Sequence, residues 1–113
     1  MGEIAVGPAA RIAEVVHYLE GHYAEPCSLQ SLAGKAGLSR FHFLRRFRSV
    51  TGTSPHQYLI AVRLRAAADR LRSSADPITA IALDVGFNDL SNFNLHFRRN
   101  FGMPPRRWRA RSN

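Results

Sequence analysis

Two sets of side chains stand out by type and spacing: Phe41, Leu44, Arg45 and Arg48, and, 50 positions later, Ser91, Asn94, Leu95 and Arg98. Within each set the spacing is that of one face of an α-helix. Their chemistry is recognition rather than reaction. An arginine fork matches the O6 and N7 acceptors of guanine, an asparagine amide pairs with adenine, and an apolar group meets a thymine methyl. Arg45, Asn94 and Phe41 are therefore candidate base readers. Arg48 and Arg98, one turn further on, suit phosphate oxygens, with Arg40, Arg46 and Arg99 as flanking candidates. The blander alternatives are that these arginines are solvated surface charges, and that Phe41 or Leu44 belongs to a second core face.

Little else in the chain points to chemistry. There is no carboxylate pair, no nucleophile with its base and no phosphate-cradling glycine loop, so enzymatic activity is not expected. The five histidines and Cys27 lack metal-ligand spacing, and neither metal nor cofactor is expected. One cysteine builds no disulfide framework, and Cys27, beside Pro26, is expected to be buried or half-buried. Hydrophobic residues make up 45% of the 113, enough for a core, which excludes a disordered chain. No apolar run is long enough to span a membrane, and no secretory segment opens the chain. Val6 stands where a myristoylation motif requires Ser or Thr, so a cytoplasmic protein with no membrane partner is expected. The net charge of +8, with Lys35 the single lysine among 16 basic residues, favours a polyanionic partner. A GC-rich coding sequence would produce the same arginine bias, so charge alone goes no further.

The elements that must position these side chains emerge from an internal repeat. Leu29, Leu32, Ala33 and Gly37 overlay Ile78, Ile81, Ala82 and Gly86 at an offset of 49. After one extra residue, Phe43, Phe47, Arg48, Gly52, Pro55 and Tyr58 overlay Phe93, Phe97, Arg98, Gly102, Pro105 and Trp108. Each copy is predicted to be helix, tight turn, helix. Ser28 caps a short helix to about Ala36, Gly37 turns, and Ser39 caps a second helix over 40–51 that Gly52 ends. In the second copy Asp76 caps, Pro77 takes the first helical position, Gly86 turns, and Asn88 or Asp89 caps a helix stopped by Gly102. The core stripes of the two longer helices are Phe43, Phe47 and Val50, and Phe93, Phe97 and Phe101.

Between the copies, the Ser54-Pro55-His56-Gln57 capping box opens a helix to about Ser73. A helix of ~18–20 residues is about 27–30 Å long, near the ~34 Å between successive major-groove faces of a duplex. An amphipathic helix over 9–22, with Ile12, Val15, Val16 and Leu19 as its stripe, precedes both copies. Pro104-Pro105 opens a last short helix with Arg106, Arg107, Trp108, Arg109 and Arg111. Without any convincing two-residue alternation, the fold is expected to be all-α: subdomains over 9–53 and 75–111 joined by a linker helix over 54–74.

The stretch Leu29–Arg48, LQSLAGKAGLSRFHFLRRFR, resembles the first helix-turn-helix of the AraC/XylS family of transcription regulators. Ile78–Phe93, ITAIALDVGFNDLSNF, and Phe97–Arg109, FRRNFGMPPRRWR, resemble that family's signature. The resemblance covers about residues 9–110. It implies seven helices, recognition helices in adjacent major grooves of double-stranded DNA, and transcription control through RNA polymerase. By position it implies base reading by Arg40, Phe41, Leu44 and Arg45, then by Leu90, Ser91, Asn94 and Leu95, with Leu90 also fitting the inner stripe. The family often has arginine where this chain has Leu95, which also overlays Arg45, so the second copy is expected to discriminate less or to favour a thymine methyl. The motifs consume the chain, which is expected to be monomeric. It is either a stand-alone regulator or the C-terminal piece of a longer one that could dimerise through a sensing domain. The rival functions are a nucleoid-type DNA coat and a helical protein-interaction module.

Overall fold

Serine, aspartate and glycine set the limits of the helices in the computed structural model, which describes residues 7–111. Val6, on which the exclusion of myristoylation rests, and the first residues, on which the exclusion of a secretory segment rests, lie outside that range. The described residues form seven helices and no strand: α1 (Pro8–His22), α2 (Leu29–Lys35), α3 (Arg40–Thr51), α4 (Pro55–Ser73), α5 (Ile78–Asp84), α6 (Leu90–Phe101) and α7 (Pro105–Arg111). The all-α expectation holds. Side-chain oxygens accept from the otherwise orphaned N–H groups of the first turns. Ser28 accepts from Ser31, Ser39 from His42 and Asp89 from Asn92. At α4 the Gln57 N–H donates to Ser54 Oγ at 3.1 Å and the Ser54 N–H to Gln57 Oε1 at 3.4 Å, a reciprocal capping box.

One predicted cap is corrected. Asp76 does not cap α5, which begins at Ile78 with Pro77 at its N-cap and no side-chain bond there. Its carboxylate is taken by Arg70, whose Nη2 donates to Asp76 Oδ2 at 2.7 Å. With both donor and acceptor charged, the ion pair with Arg70 holds the carboxylate away from the helix end.

The chain divides into two units: α1 to α3 with α4 as far as Leu59, and Tyr23–Pro26 with the chain from Ile60 onward. In the first unit Ile12, Val15 and Leu19 of α1, Leu32 and Ala33 of α2, and Phe43 and Phe47 of α3 are buried. In the second, Leu64, Ala67 and Leu71 of α4, Ile81 and Ala82 of α5, and Phe93 and Phe97 of α6 do the same. The repeat therefore extends beyond Leu29–Tyr58. Arg11, Ile12, Val15 and Leu19 correspond at an offset of 52 to Arg63, Leu64, Ala67 and Leu71, so the latter half of α4 is the opening helix of the second unit.

Val50 is a second correction: it is 46% exposed and leaves the predicted core stripe. The residue four past Phe47 is Thr51, which is half-buried and donates its hydroxyl to the Phe47 carbonyl at 2.8 Å. Side chains at i and i+4 lie one above the other, so the stripe runs Phe43, Phe47, Thr51. In the second unit it runs Phe93, Phe97, Phe101, with Phe101 half-buried as expected.

Candidate nucleic-acid interface

Each of α3 and α6 is set by the turn before it, and the two turns match bond for bond. Gly37 N–H donates to the Gly34 carbonyl and Leu38 N–H to the Ala33 carbonyl, both at 3.0 Å. Gly86 to Leu83 and Phe87 to Ala82 repeat the pattern, also at 3.0 Å. The reversal requires left-handed backbone, φ +68° at Gly37 and +113° at Gly86, which a side chain would strain. An arginine occupies the space where a Cβ would stand. A Cβ on Gly37 would lie 2.8 Å from Arg11 Nη1; one on Gly86 would lie 2.5 Å from Arg63 Nε and 3.0 Å from the Tyr23 carbonyl oxygen. Arg11 donates to the Ala36 carbonyl at 3.3 Å, and Arg63 to the Tyr23 and Glu25 carbonyls at 2.7 and 3.2 Å. These two positioning residues were not singled out from sequence. Their shared offset with the α1 and α4 core positions was the signal that could have found them.

The turns leave one side of each following helix uncovered. On α3, Arg40, Phe41, Leu44, Arg45, Arg46 and Arg48 are exposed. Phe41 is 64% exposed, so the second-core-face reading fails for it. Its ring is instead flanked by the Arg45 guanidinium, 5.6 Å from the centroid, and edge-on by His42 at 5.7 Å. On α6, Leu90, Ser91, Leu95, Arg98 and Arg99 are exposed, whereas Asn94 is half-buried. Leu90, which also fitted an inner stripe, is 38% exposed. Asn94 is covered because it lines a groove of about 340 Å³ with Leu90, Arg98 and the start of α7.

The basic residues sort into two groups. Arg11, Arg63 and Arg109 donate to backbone carbonyls, the last to Leu71 at 3.0 Å. Arg70 bridges Asp76 and Asp84, and Arg72 lies 5.0 Å from the Trp108 ring centroid. Hydrogen bonds from Arg70 hold the Asp76 carboxyl below its ordinary range, and the bonds to Asp76 and Asp84 raise Arg70 in turn. By contrast Arg40, Arg45, Arg46, Arg48, Arg98 and Arg99 have no ion pair or side-chain hydrogen bond among the described residues, and neither α3 nor α6 contains a carboxylate. An unpaired guanidinium on a carboxylate-free surface keeps its donors available for an anion. Among the described residues no group of three or more His, Cys, Asp or Glu is placed to hold a metal ion, and no helix is long and apolar enough to cross a membrane. Cys27 is half-buried.

Comparison with known proteins gives the same arrangement. A family model described as a helix-turn-helix domain matches residues 32–111. The transcriptional regulator Rob of Salmonella typhimurium is 38% identical over 104 residues, covering 92% of this chain and 36% of that protein. The chain spans about a third of the length of the curated relatives it matches. Among solved structures, the DNA-binding domain of AdpA, a global transcriptional factor crystallised with a target DNA, superposes with a TM-score of 0.85 at 38% identity, covering 89% of this chain and 91% of that one. An AraC-type transcriptional regulator from Chromobacterium violaceum superposes with a TM-score of 0.83 at 31% identity, covering 90% of this chain and 91% of that one.

Proposed function

The chain belongs to the AraC/XylS family of helix-turn-helix transcription regulators, and from that premise we propose that it reads double-stranded DNA sequence-specifically to regulate transcription in the cytoplasm. The observation that carries the reading is the pair of uncovered faces on α3 and α6, repeated at an offset of 50 and free of carboxylates. In this reading Arg40, Phe41, Leu44 and Arg45 of α3, and Leu90, Ser91, Asn94 and Leu95 of α6, meet base edges. Arg46, Arg48, Arg98 and Arg99 hold phosphates and set the register. The readers lie within 9–53 and 75–111, the helix over 54–74 joins them, and they enter adjacent major grooves. This segment acts as a monomer without a cofactor, RNA polymerase is the protein partner, and a sensing domain, where present, would supply dimerisation.

The test is competition at fixed salt between random duplex and a duplex recovered by random-site selection with the purified chain. A specific reader prefers its site by ~10³ or more, and its affinity falls steeply as salt rises. Footprints should form two blocks about one helical turn apart. Equal binding to both duplexes would instead identify a nucleoid-type coat, and salt-insensitive absence of DNA binding would identify a protein-interaction module.

A further inference from the structure

Both units carry a groove at the same place in the repeat, beside the recognition helix and the first turn of the helix that follows it. In the first unit it is lined by Leu29, Leu44, Pro55 and His56; at the corresponding positions in the second stand Ile78, Asn94, Pro105 and Arg106. The fold makes a groove in each unit, but the linings differ: Arg98 lines the second, whereas its counterpart Arg48 does not line the first. The first, about 190 Å³, is closed in further by Leu32 and Leu59, with Ser54 and Cys27 at its edge, and has no arginine in its lining. The second, about 340 Å³, adds Arg98 to Arg106 and Asn94 and has no carboxylate in its lining.

We propose that the groove of the second unit seats a backbone phosphate of the DNA, gripped by Arg98 and Arg106, and that the groove of the first unit does not. The proposal rests on the DNA-reading function above and extends it to α7, outside both helix-turn-helix motifs. Two guanidinium groups lining one groove repel each other, and an anion between them turns that repulsion into attraction. Neither is committed elsewhere: Arg98 and Arg106 are exposed and have no ion pair or side-chain hydrogen bond among the described residues. Other arginines of the same unit, Arg63, Arg70 and Arg109, are tied to carbonyls or carboxylates. Planar forks with several donors suit phosphate oxygens. The anion's source follows from Asn94, a base-reading candidate that lines the same groove. A phosphate seated there lies beside the base edge Asn94 would read, so a single groove would hold the strand and present its base. Such a grip offsets the arginine that α6 lacks at Leu95.

The experiment measures affinity of the whole chain against salt, on the duplex recovered by site selection, for wild type, Arg106→Gln, Arg106→Lys and His56→Arg. Arg106→Gln should weaken binding about tenfold, equally on selected and random duplex, and lower the salt slope by ~1; Arg106→Lys should keep the slope. Replacing single phosphates by neutral methylphosphonates should reveal one position in the second half-site that weakens wild type but leaves Arg106→Gln unaffected. His56→Arg, which places the second unit's charge in the first unit's groove, should raise the slope by ~1. An Arg106→Gln protein with wild-type slope and methylphosphonate profile overturns the phosphate seat while the sequence preference of wild type stands. An unchanged slope in His56→Arg overturns the claim that the charge at this position separates the two grooves. If wild type shows no preference for any duplex, the DNA-reading function itself fails and the seat with it.

Discussion

Phe47 meets Tyr58 edge-on in the first unit, with centroids 5.8 Å apart and planes at 80°; in the second, Phe97 meets Trp108 at 6.1 Å and 77°. Phe43 and Phe47 lie 5.7 Å apart, Phe93 and Phe97 5.6 Å. Close-packed interiors tolerate little change in shape, so the repeated contacts hold one backbone twice. The surfaces over these interiors differ. The face of α3 presents Phe41, Leu44 and Arg45, and that of α6 presents Ser91, Asn94 and Leu95. On the α3 face a guanidinium, Arg45, lies against the Phe41 ring. On the α6 face the corresponding position is Leu95, and Arg98 lies beside the groove at the start of α7. The comparison teaches that duplication preserved the positioning frame and left the two contact surfaces free to specialise.

The sharpest way to break the interior equivalence is to remove one ring from each unit. Phe97→Ala should destabilise the second unit by about 3–5 kcal/mol. Phe47→Ala should cost less, since Phe97 also packs against Phe101, tilted with ring centroids 4.5 Å apart, and the equivalent position in the first unit is Thr51. Denaturant unfolding followed separately by Trp108 fluorescence and by far-ultraviolet dichroism measures both, and equal losses would contradict the asymmetry. Next come the turns. Gly86→Ala should cost about 1–3 kcal/mol of stability through backbone strain, more than Gly37→Ala. Its Cβ meets a backbone carbonyl as well as Arg63, whereas Gly37 meets only the flexible end of Arg11.

At the contact surfaces, Arg45→Ala should cost about 1–3 kcal/mol of binding at the selected site and relax preference at one base pair. Leu95→Arg should move the second unit toward the first, strengthening binding or adding a preference in its half-site. Site selection on both variants measures this, and a uniform loss for Arg45→Ala across all sequences would refute its base-reading role. The smallest effect concerns the Arg70–Asp76 contact, which lies in the second unit. Because the folded state holds Asp76 below its ordinary value, the contribution is present near neutrality and is lost as pH falls below about 4. Asp76→Asn should remove that acid-side slope, and thermal melts from pH 7 to pH 3 would detect it.

Much of this was legible because it is local. Ser39, Ser54, Gly37 and Gly86 act on backbone groups within a few residues, so their caps and turns follow from chain order. The uncovered sides of α3 and α6 were legible as the complement of the phenylalanine stripes. What escaped depended on which side chains packing brings into contact. Asp76 lost its cap to Arg70, six residues back on α4, which holds its carboxylate. Val50 fell off the stripe because Thr51 meets the core instead. The repeat offset pairs Arg63 with Arg11, but only the structure shows its bond to the Tyr23 carbonyl, 40 residues earlier.

From its sequence alone this protein is an all-α chain of two repeated helix-turn-helix motifs, because helix period, caps and left-handed glycines are properties of short segments. Only the tertiary structure decided which arginines are spent on carbonyls and carboxylates and which remain for an anion. Only it made two grooves of different lining from one repeated motif. The physical reason is the same in both cases: a side chain's availability is set by what packing brings within hydrogen-bond reach, and that neighbour is rarely its neighbour in the chain.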